Sequence, residues 1–349
     1  MTRKNADTPL ALLNPAYFGL VMATGIVSLA AWNLGMAGLG RVLFWLNIPC
    51  YGVLVGMYLL RVWRFPRMFL ADLLDHSRAP GFFTFVAGSC VLGVQVLVIT
   101  DNAAVAWPLW WVGVVAWVAL TYAIFTAFTV KRDKPSLEQG INGGWLLAVV
   151  ATQSIAVLAT LLAVRVEQPV RIEMNFLALS MWLWGGMLYI WMMSLIFYRY
   201  VFFRFSPDDL TPPYWINMGA MAISTLAGSL LIENASPQAP NLLSLLPFLK
   251  GFTVFYWATA TWWIPMLVVL GFWRHGYRRH PFTYDPQYWG LVFPLGMYTV
   301  ATLQMAEAMQ LDFLRPIPEY FVYVALLAWG CVFFGLLRRV LGSLRPAHR

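Results

Sequence analysis

Ala104-Val-Ala-Trp-Pro-Leu-Trp-Trp-Val-Gly-Val-Val-Ala-Trp-Val-Ala-Leu-Thr-Tyr-Ala-Ile-Phe-Thr-Ala-Phe-Thr-Val130 runs for 27 residues without one Asp, Glu, Lys, Arg or His. As a helix rising about 1.5 Å per residue it spans about 40 Å, more than the ~30 Å hydrocarbon core of a bilayer. A strand of a membrane barrel needs only about ten residues, of alternating character, and this run is too long and too evenly apolar for that. It reads as a membrane-spanning helix.

Comparable stretches lie at about 12–34, 42–60, 80–100, 143–164, 174–198, 214–232, 247–272, 287–309 and 317–337, so the sequence predicts ten helices in all. The composition agrees: of 349 residues 60% are hydrophobic and 11% charged, against about 45–50% and about 25% in soluble domains. Ten crossings of about 20 residues leave room for short loops and no second folded domain. The expected organisation is one transmembrane domain over 12–340, between a short cytoplasmic N-terminus (1–11) and a short cytoplasmic tail (341–349). A soluble enzyme and a nucleic-acid-binding protein are excluded, even though the net charge is +8. Arg3 and Lys4 before an apolar run resemble a signal peptide, but removing that helix would leave nine where the charge pattern fits ten.

The charges sit in loops. Eighteen of the 23 Lys and Arg fall on one side, including Arg61, Arg64, Arg67, Arg78, Lys131, Arg132, Lys134, Arg199, Arg274, Arg278 and Arg279; five fall on the other: Arg41, Arg165, Arg171, Lys250 and Arg315. With the acids included the two sides carry +10 and −2. Cytoplasmic loops collect positive charge, so both termini are expected in the cytoplasm, in a plasma membrane such as the bacterial inner membrane. Lys131, Arg132, Arg274, Arg278 and Arg279 form a candidate basic cytoplasmic face. The loop 61–80, which mixes charges with Trp63, Phe65 and Phe69, has the makings of an interfacial amphipathic helix.

Each odd-numbered helix opens with a related phrase: Pro15-Ala-Tyr-Phe18, Pro80-Gly-Phe-Phe83, Gly143-Gly-Trp-Leu146, Pro212-Pro-Tyr-Trp215 and Pro286-Gln-Tyr-Trp289, in steps of 65, 63, 69 and 74 residues. The repeating unit is a helical hairpin, five times over. Odd helices are rich in Gly, Ala, Ser and Thr, even ones in Trp and Leu, and small residues belong where helices crowd together. The predicted fold is therefore an all-α integral membrane protein: five hairpins in pseudo-five-fold symmetry, odd helices around a central pore and even helices facing lipid.

Helix interiors hold almost no ionisable residue, whereas proton-coupled carriers usually keep one as a relay. Glu307, about 21 Å along its helix from Phe293, and Glu319 lie toward outer ends. Cys50, Cys90 and Cys331 stand singly in apolar runs, and the four His lie in loops or tail, so neither disulfide, metal, cofactor nor nucleophilic catalysis is expected. The odd helices offer neutral polarity instead: Thr24 and Ser28, Ser89, Thr152 and Gln153, Ser224 and Thr225, and Tyr298, Thr299 and Gln304, with Gly25 beside them. Donors of this kind bind anions weakly, which suits passage better than capture; each also has the plainer option of bonding the carbonyl four residues earlier. Pro294 removes a helical hydrogen bond, and Phe293 precedes it. Superposing the repeats matches Phe293 to Met22, Ala87, Val150 and Gly219, so a single ring faces mostly smaller side chains.

Asn14-Pro-Ala-Tyr-Phe-Gly-Leu-Val-Met-Ala-Thr-Gly-Ile26, Tyr214-Trp-Ile-Asn-Met-Gly-Ala-Met-Ala-Ile223 and Tyr288-Trp-Gly-Leu-Val-Phe-Pro-Leu295 resemble the tellurite-resistance/C4-dicarboxylate transporter family. It includes the bacterial tellurite-resistance protein, yeast malate and sulfite permeases and the slow-type anion channel of plant guard cells. The resemblance implies a homotrimer in which each protomer has its own five-fold pore, occluded by a phenylalanine on the ninth helix, where Phe293 stands. The Gly143-Gly phrase lacks the proline of the other copies, and with about eleven residues before the first helix, control through a long N-terminal tail like that of the plant channels is not expected.

The leading expectation is thus a gated pore for small anions or C4-dicarboxylates. The alternative is a proton-coupled dicarboxylate carrier in which Glu307 or the substrate's own carboxylates bring the proton, or a tellurite or sulfite efflux protein. An enzyme or an interaction scaffold is not expected.

Overall fold

The computed structural model describes residues 8–281 and 283–344. Arg3, Lys4, Arg345 and Arg349, counted among the charges above, and His348 lie outside the described residues, as do most of the expected tails. Among the described residues ten helices have fifteen or more residues: α1 (Gly19–Asn33), α2 (Ala37–Arg64), α3 (Phe83–Thr100), α4 (Ala103–Val130), α5 (Leu147–Ala163), α6 (Val170–Phe202), α7 (Ile216–Asn234), α8 (Leu246–Phe272), α9 (Trp289–Met309) and α10 (Pro316–Leu344). Nine are long and apolar enough to cross a membrane. The exception is α9, in which Trp289, Pro294, Tyr298 and Gln304 dilute the aliphatic residues.

All five opening phrases form 3-10 turns: Pro15–Phe18, Ala79–Phe82, Gly143–Leu146, Pro212–Trp215 and Pro286–Tyr288. A proline costs nothing in a first turn, where its missing N–H has no partner to lose. In three copies the side chain just before the turn caps it. Asn14 accepts from Ala16 N–H at 2.9 Å, Asn142 from Gly144 N–H at 2.8 Å and Asp285 from Gln287 N–H at 2.7 Å.

The odd helices form a closed ring, in which α1 packs on α3, α3 on α5, α5 on α7, α7 on α9 and α9 on α1. Each even helix packs outside its own odd partner and leans on the next odd helix. The layers differ in burial: the spans containing α5 and α7 are each 94% enclosed, those containing α4 and α10 each 17%. The α6 span, at 56%, is the most enclosed outer one. In lipid an exposed Leu or Val carries no hydrophobic penalty. Glycines let the ring helices touch: a Cβ at Gly25 would stand 2.5 Å from Val91, one at Gly93 2.5 Å from Leu158, and one at Gly219 2.7 Å from Pro294.

The outer helices overrun the apolar stretches that predicted them, because their polar ends continue the helix and find partners. Arg61, in the last turn of α2, is 1% exposed; it donates to the Ala11 carbonyl and pairs with Asp72 at 2.5 Å. Arg199, which the apolar pattern assigned to a loop, lies inside α6 and is bound to the Glu138 carbonyl, the Tyr214 hydroxyl and Asp209. Between α2 and α3, part of the stretch 61–80 forms a short helix, Pro66–Leu73, with none of its residues buried.

Candidate pore axis

A small cavity is lined by all five ring helices: Ile26 and Leu29, Val91 and Val94 beside Cys90, Ser154 and Val157, Ile223 and Leu226, and Met297. At about 10 Å³ it holds at most one water. One turn back toward the N-terminus, four residues earlier in each helix and so on the same face, stand Met22, Ala87, Val150, Gly219 and Phe293. All five are buried. Another turn back, Leu147 belongs to a much larger cavity of about 410 Å³ at the N-terminal ends of the ring helices. That vestibule draws on every opening phrase, through Asn14, Arg78, Asn142, Thr211 and Gln287. Fully buried side chains therefore separate the two cavities.

The vestibule is polar and nearly balanced. Arg78 pairs with Asp72 at 2.7 Å and Arg199 with Asp209 at 3.0 Å. Burial opposes the charge of Asp209, but hydrogen bonds from Ser206 and the Arg199 guanidinium outweigh it and hold the carboxyl below its usual range. Asp75 is depressed likewise: burial works against it, and Ser77 and the Arg78 N–H prevail. What remains for an anion is the N-terminal ends of five parallel helices, each equivalent to about half a positive charge.

Six of the neutral polar residues expected in the lining bond to outer helices. Thr24 accepts from the Trp329 indole on α10 at 3.0 Å. Ser28 donates to the Gly40 carbonyl on α2 at 2.6 Å, and Ser89 pairs with Tyr51 on the same helix at 2.9 Å. Thr152 accepts from Trp117 on α4 at 2.8 Å, and Gln153 donates to the Trp182 carbonyl on α6 at 3.0 Å. Tyr298 meets Thr261 on α8 at 2.9 Å. These groups fasten ring helices to outer helices, because an unpaired polar group in hydrocarbon is costly and the outer layer supplies the partners. Ser224, Thr225 and Thr299 bond the carbonyls four residues back. Gly25 lies between α1 and α3, against Val91. Apart from Ser154, the small axial cavity is lined by aliphatic side chains and the sulfur-bearing Cys90 and Met297.

The predicted basic face divides. Lys131 donates to the Leu74 carbonyl, Arg132 is exposed, Arg274 binds the Leu210 carbonyl, and Arg278 and Arg279 flank a separate recess with Asp208. None of the five lines the vestibule; Arg78 and Arg199 do. Arg78 stands two residues before Pro80 and Asn142 one residue before Gly143, so their place beside the repeated phrase is the signal that would have found them. Among the described residues no three His, Cys, Asp or Glu converge as for a metal ion.

The profile of a family described as SLAC1, voltage-dependent anion channel, matches residues 13–337. A membrane protein of Mycobacterium tuberculosis is 37% identical over 162 residues, 46% of this chain and 81% of that one. A transporter of Methanocaldococcus jannaschii is 23% identical over 296 residues, covering 82% and 83% of the two chains. The sulfite efflux pump SSU1 of Arthroderma benhamiae is 25% identical over 350 residues, covering 95% of this chain and 92% of its own. With the match spanning all ten helices, the chain is a multi-pass membrane protein and belongs to the SLAC1 voltage-dependent anion channel family.

Proposed function

We propose that this protein is a passive anion pore whose pathway follows the axis of the α1-α3-α5-α7-α9 ring and is shut at Phe293. The observation that carries this reading is the buried ring Met22, Ala87, Val150, Gly219 and Phe293 between a large polar vestibule and a small apolar cavity. Phe293 is the one aromatic among them. The pathway runs through ten crossings with pseudo-five-fold symmetry, the support for which is the five-fold recurrence of turn, inner helix and outer helix; α9 is the tenth crossing, lined up with the other four ring helices despite its polar content. The charge asymmetry supports cytoplasmic termini, a cytoplasmic vestibule and a bacterial inner membrane, and the family resemblance supports a homotrimer with one pathway per protomer. An inside-negative potential of 100 mV is worth about 2.3 kcal/mol per charge, enough to expel an anion with no coupled ion.

Small inorganic anions and C4-dicarboxylates are the substrate class, with sulfite added by the pumps that the chain resembles along most of its length. Replacing Phe293 with Ala opens the ring in this reading, so chloride current across a planar bilayer should rise at least tenfold. A second reading, a proton-coupled carrier, draws on Glu307 and Glu233 at the far end of the ring helices. Malate uptake into proteoliposomes that carries protons with it, and loses them in Glu307→Gln, would establish that reading instead.

A further inference from the structure

The two ends of the axis differ in sign. Two turns beyond the residues that line the small cavity, about 10 Å farther along their helices, the ring reaches Asp101 (from Val94), Glu233 (from Leu226) and Gln304 (from Met297). Two clasps tie neighbouring ring helices there. Gln304 Nε2 donates to Glu233 Oε1 at 2.5 Å, joining α9 to α7, and the Arg165 guanidinium lies 2.5 Å from Asp101, at the ends of α5 and α3. The second clasp is electrically neutral. The first is not, because its donor is an uncharged amide, and Glu307 follows one turn after Gln304 on the same helix. Among the described residues neither Glu233 nor Glu307 has a cation within salt-bridge distance, and both are exposed. The five parallel ring helices also present their C-terminal, negative ends here, while the vestibule receives their positive ends.

We infer that Glu233, oriented by Gln304, is a charge filter at the outer end of the axis that makes the pathway directional: at equal and opposite driving force, anions leave toward the outer side more readily than they enter from it. The inference rests on the pore reading above. A fixed negative charge at the outer entrance depletes anions where influx begins, and leaves the balanced vestibule, where efflux begins, untouched. Glu233 is thus a determinant of direction, whereas Phe293 determines whether anything passes.

The test uses the full chain carrying Phe293→Ala, in inside-out patches with equal chloride on both sides. At about 20 mM chloride, where charges act over roughly 20 Å, efflux at −100 mV should exceed influx at +100 mV about threefold, and at about 1 M, where they act over ~3 Å, by less than about 1.3-fold. Adding Glu233→Gln keeps an acceptor for Gln304 and should bring the low-salt ratio close to one, chiefly by raising influx. A robust current whose low-salt ratio is the same with and without Glu233→Gln overturns the filter while leaving the pore in place. Absence of anion current in Phe293→Ala itself overturns the pore, and the filter with it.

Discussion

The inner ring and the outer layer are written in the same apolar alphabet and use it in opposite ways. The α5 span is 94% enclosed and the α4 span beside it 17%, yet both lack charge. In the ring, contact is made by what is absent: a side chain at Gly219 would collide with Pro294, and one at Gly25 with Val91. In the outer layer Gly52, Gly56 and Gly251 have open space around them. Hydrophobicity therefore places a helix in the membrane, and side-chain size decides which layer it joins. Polar groups mark the seam, since Thr152, Gln153, Tyr298 and Thr24 of the ring meet Trp117, Trp182, Thr261 and Trp329 of the outer layer.

The largest effect expected from this contrast is on folding. Gly219→Leu overpacks the ring against Pro294 and should cost about 3 kcal/mol, the upper end for overfilled cores, while Gly251→Leu on α8 should be neutral. Thermal unfolding of both variants in detergent checks this; equal midpoints would abolish the distinction between the layers. A smaller effect is expected at the seam. Thr24→Val removes the acceptor of the Trp329 indole and should destabilise by about 1 kcal/mol while leaving the relative permeabilities of chloride, nitrate and malate in Phe293→Ala unchanged. A shift in anion preference would return Thr24 to the axis.

The smallest concerns His76, outside the membrane-spanning helices, stacked on Phe128 at 3.9 Å. Burial, then the nearby Lys131, lower its pKa from the ordinary 6.5. The unfolded chain therefore takes up this proton first as pH falls, and the stability that His76 contributes is present above about 6.5 and lost below it. His76→Gln should flatten the stability profile between pH 7 and 5; an unchanged profile would detach His76 from it.

Much of the architecture was legible in the sequence because its signals are local. A Pro or Gly just before an aromatic residue five times over, four times an aromatic pair, marks five helix starts, and uncharged runs mark the helices themselves. The direction in which a ring side chain points was not legible. Every residue of α1 from Gly19 to Ala31 is buried, so the helix carries no polar stripe, and periodicity has no face to report. For Thr24 and Ser28 the sequence offers the axis or the carbonyl four residues earlier; their partners, the Trp329 indole and the Gly40 carbonyl, lie on other helices and leave no local signal. Arg199 was mistaken for a loop charge because hydropathy ends a helix where charge begins, whereas α6 continues to Phe202 with the guanidinium satisfied by three partners. Counting seven residues from the start of each repeated phrase reaches Met22, Ala87, Val150, Gly219 and Phe293, each one turn before a residue of the axial cavity.

The central claim is that one ring of buried side chains closes an otherwise continuous anion pathway. Its most direct test is macroscopic current from purified protein in a planar bilayer, with Phe293→Ala beside the unmodified chain and chloride, nitrate, sulfite and malate exchanged in turn. The account predicts ohmic anion current that is small in the unmodified protein and at least tenfold larger in the variant. Folded Phe293→Ala protein with no more current than its parent would contradict it.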